Sequence, residues 1–349
     1  MRYIGGKALL TDEILKIIRD KTKDVNSVID IFSGSGVVSM SLKKEGYQVY
    51  ANDFLFFSYV LSKGTLEMNE KPAFKDLKIS DPIGYLNDLK LEDCHYNLED
   101  CFIYQNYSPN ESCQRMYFQN KNAIKIDMIR QQIEAWKSCL TEQEYYYLLG
   151  ALIAAVPYVS NIAGVYAAYL KHWDARTYHD LELKEPEIIS AKKQSFSLNL
   201  DYLEALKRVS GDVLYADPPY NSRQYLPNYH VLETIALYDN PPIKGVTGMR
   251  DYKDQRSEFC IKSKVEQAFE KMIQTADVRY IMISYNNEGL IETDKLKSLC
   301  EKYAKKDSFQ LIEIDYRRYK SKIPNNKAGL KEQIYFFEKE KVNESESIQ

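Results

Sequence analysis

The sequence lacks the cysteine spacing that disulfide frameworks and structural zinc sites require. Its six cysteines are scattered along 349 residues, without a Cys-x-x-Cys pair or a matching histidine spacing. Histidine is scarce as well, with four in the chain. We therefore expect neither a disulfide framework nor a metal at the functional site.

A strong excess of either charge is also absent. The chain has 47 Lys and Arg against 50 Asp and Glu, which gives a formal net charge of −3. This total neither requires nor excludes a nucleic acid as partner, so local clusters of charge must decide that question.

Secretory and membrane signals are missing too. The N-terminus has no apolar signal segment. Residues 145–170 carry no charge and are long enough to span a bilayer. However, they contain six tyrosines, two glycines and Pro157, which favours two buried helices broken near that proline. We expect a cytoplasmic protein with no membrane contact.

Strand and helix signals follow the order of a doubly wound nucleotide-binding sheet. An apolar run over 25–32 leads into Ser33-Gly34-Ser35-Gly36, which precedes a predicted helix over 37–44. Further strand signals lie at 47–51, 195–200, 213–216 and 278–285, and in a terminal hairpin over 310–316 and 333–337. The sequence predicts an α/β fold with a Rossmann-like sheet.

The strand rhythm is interrupted between the second and third strands. Residues 56–190 are polar and rich in helix signals, including an amphipathic helix over 123–138. We predict a discontinuous catalytic domain, residues 1–55 and 191–340, with a helical insertion over 56–190. Residues 341–349 are polar and predicted to be a disordered tail.

Polar residues follow several of these strands. The first delivers Gly34 and Gly36, the second Asp53, the third Asp201 and the fourth Asp217. Because ligands of open parallel sheets bind beyond the carboxyl ends of the strands, these residues are expected to meet in one crevice.

The glycine turn indicates a nucleoside-containing cofactor rather than NAD. The dinucleotide motif Gly-x-Gly-x-x-Gly would need a glycine where Ser39 stands. Asp53 lies about twenty residues after the turn, a spacing suited to hydrogen-bonding a ribose. A nicotinamide-dependent dehydrogenase is an alternative that leaves the sequence after the fourth strand unexplained.

Asp217-Pro218-Pro219-Tyr220 is the most informative tetrapeptide in the chain. Each proline restricts the residue before it, so the Asp217 carboxylate and a neighbouring carbonyl are fixed acceptors beside an aromatic ring. Two fixed acceptors and a stacking surface suit the exocyclic amine of a planar base such as adenine. Hydrogen bonds to them would localise the nitrogen lone pair and stabilise the charge that develops on attack.

These motifs resemble the alpha group of N6-adenine-specific DNA methyltransferases, the DNA adenine methylase family. The resemblance rests on 2–7, on 30–36, on Asn199-Leu200-Asp201 and on the tetrapeptide at Asp217, in the family's order. It implies that S-adenosylmethionine binds to Tyr3, Lys7, Asp30, Phe32, Gly34, Gly36, Asp53 and Asp201.

The resemblance also implies a reaction. It indicates direct in-line methyl transfer to the N6 amine of a flipped adenine, without a metal, with Asp217, Pro218, Pro219 and Tyr220 as catalytic residues. No Pro-Cys dipeptide occurs, so the covalent cytosine-C5 route lacks its nucleophile. A cytosine-N4 DNA methyltransferase, an RNA adenine methyltransferase and an inactive DNA-binding protein on the same fold stay open as alternatives.

Double-stranded DNA is the expected partner, with a cognate restriction endonuclease acting separately, in a bacterial or phage-encoded system. Residues 316–331 contain six basic side chains and no acid, interleaved with aromatic residues. A second candidate segment, 221–264, follows the tetrapeptide. The predicted DNA-binding residues are Arg223, Tyr225, Arg317, Arg318, Lys320 and Lys322.

Overall fold

A seven-stranded mixed sheet forms the centre of the fold. The computed structural model describes Lys7 and residues 9–93, 97–315 and 331–340. The predicted tail, 341–349, lies outside this range. The strands of the described part are β1 (Ser27–Asp30), β2 (Gln48–Asn52), β3 (Phe196–Leu198), β4 (Ser210–Ala216), β5 (Ile243–Lys244), β6 (Met249–Arg250), β7 (Asp277–Asn286), β8 (Gln310–Asp315) and β9 (Lys331–Glu338).

Helices cover both faces of the sheet and build a separate helical region beside it. They are α1 (Thr11–Lys21), α2 (Val37–Lys44), α3 (Phe56–Lys63), α4 (Pro82–Asp88), α5 (Phe102–Tyr107), α6 (Asn120–Ala135), α7 (Glu142–Ala155), α8 (Tyr202–Leu206), α9 (Leu226–Leu237), α10 (Val265–Thr275) and α11 (Thr293–Tyr303).

The order of the strands is that of a doubly wound sheet. It runs β3-β2-β1-β4-β7-β9-β8, with parallel pairing from β3 to β7 and antiparallel pairing of β9 with β7 and with β8. The predicted parallel strands and the terminal hairpin are therefore confirmed. The chain order reverses between β1 and β4, so a topological switch point lies at their carboxyl ends.

The parallel strands are buried on both faces because successive side chains point in opposite directions. Val28 and Val213 pack against α1 and α2, whereas Ile29 and Leu214 pack against α8, α10 and α11. This alternation explains why the strands read as continuous apolar runs in the sequence.

The helical region has a hydrophobic core of its own. Buried side chains of α3, α5, α6 and α7 form one cluster, and α9 belongs to the same cluster although it follows β4 in the chain. No strand of the main sheet begins between residues 53 and 195 in the described part of the chain. The predicted domain limits, 1–55 with 191–340 and 56–190, remain predictions.

The second of the two helices predicted over 145–170 does not form. α7 ends at Ala155, a short 3-10 turn covers Val156–Tyr158, and the following residues are irregular. The fully buried Asn161 replaces the helical hydrogen bonds, since its side chain donates to the carbonyls of Met116 and Leu170. Within the described ranges, no helix has the length and apolar character needed to cross a bilayer.

We expect Asp212 to stabilise the start of the sheet. Its Oδ2 accepts hydrogen bonds from the amides of Asn26 and Ser27 and from the Ser27 hydroxyl, at 2.7, 2.8 and 2.9 Å. Asp212→Ala should lower the free energy of unfolding by about 1–3 kcal/mol. Denaturant titration at pH 7 measures this, with the exposed Asp76→Ala as control.

The same contribution should depend on pH. Burial opposes it, but the hydrogen bonds from Asn26 and Ser27 hold the pKa of Asp212 below its usual value. A carboxyl whose pKa is lower in the folded state stabilises the fold above its unfolded pKa and loses that effect as pH falls through the folded value. An Asp212→Ala variant as stable as wild type at pH 7 would contradict the assignment.

Candidate active site

A cleft lies at the switch point, beyond the carboxyl ends of β1, β2 and β4. It opens to solvent, and the empty space within it and at its mouth amounts to about 990 Å³. Its walls carry side chains that the sequence predicts to meet there, among them Asp30, Asp53, Asp201 and Asp217. The sheet therefore brings carboxyl groups from separate parts of the chain into one space.

The turn from β1 to α2 forms one end of the cleft. Gly34 and Gly36 have positive φ angles of 54° and 76°, which glycine adopts without strain. Ser33 donates its amide to the carbonyl of Asn52 at 2.9 Å, which ties the turn to the end of β2. Phe32 also lines the cleft, and its ring contacts Tyr202 and Phe259.

Asp53 holds this turn in place. One carboxylate oxygen accepts from the amide of Gly34 at 2.8 Å, and the other accepts from the amide of Leu55 at 2.9 Å. Burial raises the pKa of Asp53 to about 6, although both amide hydrogen bonds oppose the rise. The predicted ribose-binding acid is thus first a structural anchor for the glycine turn, with each oxygen keeping a second lone pair.

Asp30 ends β1 with a carboxyl group that is only half satisfied. Its Oδ2 accepts from the hydroxyl of Ser39 at 2.5 Å, whereas its buried Oδ1 has no hydrogen-bond partner among the described residues. Burial raises the pKa of Asp30 to about 7, against the effect of the Ser39 hydrogen bond. A buried acceptor of this kind suits a ligand with a positive charge or a hydrogen-bond donor.

Asp217 follows β4 and forms an ion pair with Lys7, whose Nζ lies 3.1 Å from its Oδ1. Burial raises the pKa of Asp217 to about 7, and the charge of Lys7 opposes this. Its carboxylate is one-fifth exposed and lines the cleft. Lys7, which the resemblance implies to be a cofactor-binding residue, lines the cleft beside Asp217, and its role stays a prediction.

Glu332 completes this group, although no motif in the sequence marks it. The Lys7 ammonium also contacts its Oε1 at 2.5 Å, and the hydroxyl of Ser284 donates to that oxygen at 2.7 Å. Burial alone would lower the pKa of Lys7, but Asp217 and Glu332 outweigh it and raise that pKa. The signal in the sequence for Glu332 is that it is an acid at the start of an apolar strand, β9.

The rest of the tetrapeptide is divided between the cleft and the core. Pro219 lines the cleft with Asp217, while Pro218 is buried and does not. Tyr220 is partly buried against the cluster that contains α10 and α11, and its carbonyl accepts from the amide of Leu290 at 3.0 Å. It is not among the described residues that line the cleft, whereas Tyr225 is.

A further wall comes from the segment that connects β6 to α10. The cleft is lined there by Gln255, Arg256, Ser257 and Glu258. The segment is fixed by Gln224, whose side-chain oxygen accepts from the Ser257 amide at 2.8 Å. Part of the predicted 221–264 segment therefore borders the site.

Not every basic or aromatic residue of that segment is available to a ligand. Tyr229 is buried in the core of the helical region. Arg250 is 8% exposed and pairs with Asp239 at 2.7 Å. Both belong to the candidate DNA-binding segment 221–264, but their packing removes them from contact with a ligand. Arg223, by contrast, is exposed next to the cleft-lining Gln224.

Asp201 caps α8 rather than pointing into the interior. It is exposed at the cleft margin, and its Oδ1 accepts from the amide of Leu203 at 2.9 Å. The neighbouring Asn199 donates to the carbonyl of Asp53 at 2.8 Å, which joins the ends of β2 and β3. The other predicted site residues, Tyr3, Arg317, Arg318, Lys320 and Lys322, lie outside the described residues.

No group of three or more potential metal ligands comes together in the described parts of the chain. The cleft instead combines several partly compensated carboxyl groups, one buried lysine and a glycine turn. Such a site is suited to a cationic ligand, and its acceptors are suited to a ligand with N–H donors.

Several known proteins are similar to this chain over most of its length. The chain is 42% identical over 346 residues to Type II methyltransferase M.FokI of Planomicrobium okeanokoites, which covers 97% of this chain and 53% of that protein. It is 39% identical over 355 residues to Modification methylase StsI of Streptococcus sanguinis, covering 100% of this chain and 53% of that protein. The chain thus spans about half the length of these two relatives.

A third relative matches over nearly its whole length. Type II methyltransferase M.NlaIII of Neisseria lactamica is 36% identical over 334 residues, covering 94% of this chain and 95% of that protein. The profile of the D12 class N6 adenine-specific DNA methyltransferases matches residues 3–299. The chain therefore belongs to the D12 class of N6 adenine-specific DNA methyltransferases.

Proposed function

We propose that this chain transfers a methyl group from S-adenosylmethionine to the N6 amine of an adenine that has left the DNA duplex. The observation that carries the proposal is the position of Asp217, which lies at the switch point and opens onto the same cleft as the glycine turn. Family membership supports the reaction, since the D12 class is described as N6 adenine-specific.

The residues of the cleft fit S-adenosylmethionine. This group supplies, when bound, a methyl on a positively charged sulfonium. The unpartnered Oδ1 of Asp30 is a buried acceptor in the cleft, and burial, with a smaller contribution from neighbouring acids, raises the pKa values of Asp30 and Asp53. The turn at Gly34 and Gly36 lets the backbone approach a ligand closely. Lys7, Phe32 and Asp201 complete the proposed set.

Asp217 would receive the base. A carboxylate that follows an apolar strand and precedes two prolines has few conformations to lose when it accepts a hydrogen bond from an amine. Bonds from the amine to Asp217 and a carbonyl of the tetrapeptide localise the nitrogen lone pair and offset the positive charge that develops there. Tyr220 was predicted as the stacking ring; Tyr225, which lines the cleft, is a second aromatic side chain for that role.

Direct transfer, without a covalent enzyme intermediate, agrees with the state of the nearby thiol. Cys260 follows the cleft-lining Glu258 closely in the chain, but it is buried, and burial raises its pKa to about 12. A thiol of that pKa is protonated at neutral pH and is a poor nucleophile.

DNA would approach across the carboxyl edge of the sheet. The basic segment is flanked by Asp315 at the end of β8 and Lys331 at the start of β9. These two residues are partners in the antiparallel pairing of β8 and β9, beside the end of β7. They therefore lie at the same edge as the cleft. Tyr225 lines the cleft, and the exposed Arg223 lies two positions before it in the chain. Both predicted DNA-binding segments therefore begin near the cleft that an extruded base would enter.

Other basic side chains of the helical region are committed to the fold. Arg115 donates to the carbonyls of Gly245 and Val246, and Lys125 donates to two carbonyls near α4. Arg130 is buried and pairs with Glu134. We do not assign these residues to DNA.

The names of the relatives support a biological setting. Two of the matched proteins are named modification methylases and several are named type II methyltransferases. We extend this to the chain as protection of host DNA against a separate restriction endonuclease, in the cytoplasm of a bacterium or of a phage-infected cell.

Replacement of Asp217 tests the catalytic assignment. Asp217→Ala should reduce methyl transfer to DNA by about 100-fold or more, because the acceptor for the amine is lost. Binding of S-adenosylmethionine should survive. Incorporation of a labelled methyl group and equilibrium binding measure the two effects, and full transfer activity in the variant would end the proposed mechanism.

The affinity for S-adenosylmethionine should fall as the pH is lowered. Asp30 has a pKa raised to about 7 and Asp53 has one raised to about 6, so these cleft acids lose their charge as pH drops below those values. Since the cationic ligand binds the ionised form, the Kd for S-adenosylmethionine should rise about tenfold between pH 8 and pH 6. S-adenosylhomocysteine, which lacks the sulfonium charge, is the control and should respond less. Equal pH dependence for both ligands would contradict the role of the acids.

Neutralising Arg317 and Arg318 together should weaken DNA binding and flatten its salt dependence. Each phosphate contact that is lost should reduce the slope of log K against log salt by about 0.9. Binding isotherms at several salt concentrations measure this slope. Neutralisation of Lys297, whose side chain is 45% exposed, is the control. Arg115 is not a suitable control, because its side chain donates to a carbonyl of the fold. An unchanged slope would remove the segment from the interface.

A further inference from the structure

Lys7 lies between two carboxylates that come from opposite parts of the chain. Its Nζ is 3.1 Å from Asp217 and 2.5 Å from Glu332, and Lys7 and Glu332 are 7% and 8% exposed. Glu332 belongs to β9, which is separated from Lys7 by 325 positions. The family motifs assign no role to the second carboxylate, that of Glu332.

Glu332 is held so that one oxygen faces the lysine. Its backbone pairs with Asn286 in the antiparallel contact of β7 and β9. The hydroxyl of Ser284 donates to the same Oε1 that accepts from Lys7. The position of this acid is therefore fixed by the sheet, and the lysine is fixed by the acid.

Stability alone is a weak reason for such a group. Removing two or three charges from water costs several kcal/mol per ion, and apolar side chains of similar size often stabilise a core as well or better. A buried Asp–Lys–Glu group at the edge of a ligand cleft is better explained by what it does to Asp217, which lines the cleft together with Lys7.

The charges explain that effect. Lys7 carries one positive charge against the two negative charges of Asp217 and Glu332. If Asp217 were its only partner, the ammonium would bind the Asp217 carboxylate closely and neutralise its charge. Because Glu332 contacts the same ammonium more closely, the attraction is shared, and Asp217 keeps negative charge and lone pairs for a ligand in the cleft.

We propose that Glu332 is a positioning residue, which holds the Lys7 ammonium and so leaves Asp217 able to accept hydrogen bonds from the amine of the target base. This inference rests on the proposed function for the identity of the amine. Its electrostatic part, the sharing of Lys7 between two carboxylates, concerns the free protein alone.

Other ionisable groups also face Asp217 and are taken into account. Asp30 from β1 and Tyr215 from β4 interact with it, as does Tyr225 from the segment before α9. The tyrosines stay neutral, since burial raises their pKa values well above 10. Among the described residues, Asp30 is a further acid that interacts with Asp217, and Glu332→Gln does not alter that residue.

The test compares Glu332→Gln with Glu332→Asp and with Glu313→Gln. Glutamine keeps the shape of the side chain and removes its charge, whereas aspartate keeps the charge and withdraws it from Lys7. Glu313 is an exposed acid on β8 of the same hairpin, paired with Lys331, and serves as the matched control. Circular dichroism and the thermal midpoint establish that each variant is folded.

The first readout is the single-turnover rate of methyl transfer to DNA against pH. In Glu332→Gln the maximal rate should fall about 10- to 100-fold, because the acceptor is committed to Lys7 and displaced from its working position. The acid limb of the profile should move to lower pH, while the Kd for S-adenosylmethionine changes little. Glu332→Asp should shift in the same direction by less, and Glu313→Gln should match wild type. A rate and acid limb equal to those of wild type in Glu332→Gln would overturn the proposal.

The second readout does not depend on activity. Carbon-13 NMR titration of the Asp217 carboxyl, assigned with an Asp217→Asn variant, should show a lower pKa in Glu332→Gln than in wild type. The same pKa in both proteins would overturn the inference even if methyl transfer is confirmed. Absence of methyl transfer in wild type would instead refute the proposed function, and the titration would still decide the role of Glu332. Should Glu332→Gln fail to fold, Glu332→Asp provides the same comparison.

Discussion

The ion pair between Lys7 and Asp217 is the contact on which the candidate site depends. It joins the N-terminal segment to the end of β4, beside the switch point of the sheet. Glu332 extends the contact to β9. Three distant parts of the chain thus meet around one ammonium group, and the cleft has its shape only when the whole sheet is assembled.

The cleft also concentrates acid in a way that is costly for folding. Asp30, Asp53 and Asp217 are all buried to a large extent, and each has a raised pKa. Asp53 offsets its cost through two amide hydrogen bonds, but Asp30 leaves one oxygen unsatisfied in the described structure. Strain of this kind at a ligand cleft is expected where a positively charged ligand completes the site.

Local sequence signals were enough to predict the sheet. The run Val213-Leu214-Tyr215-Ala216 is apolar on both faces and ends at a proline pair, so both its class and its end could be read directly. The glycine turn after β1 and the acid after β2 were likewise correctly placed beside it. The prediction of a second helix after Pro157 was wrong. Composition does not reveal that the side chain of Asn161 donates hydrogen bonds to backbone carbonyls and so supports an irregular segment.

Contacts between distant residues could not be predicted in the same way. Glu332 is one acid among 50 Asp and Glu, and its closeness to Lys7 depends on the pairing of β9 with β7. The burial of Tyr229 and Arg250 depends on α9 joining the helical cluster. Tyr229 and Arg250, whose side chains the sequence suggests to be at the surface, are therefore buried in the structure.

We propose that this cleft makes an adenine amine reactive toward the methyl of S-adenosylmethionine. Incubation of the protein with labelled cofactor and DNA of mixed sequence, followed by nucleoside analysis and mapping of the modified positions, tests this proposal. We expect label in N6-methyladenine at a defined DNA sequence. Label in N4-methylcytosine, or no label in DNA under conditions in which the cofactor binds, would contradict it.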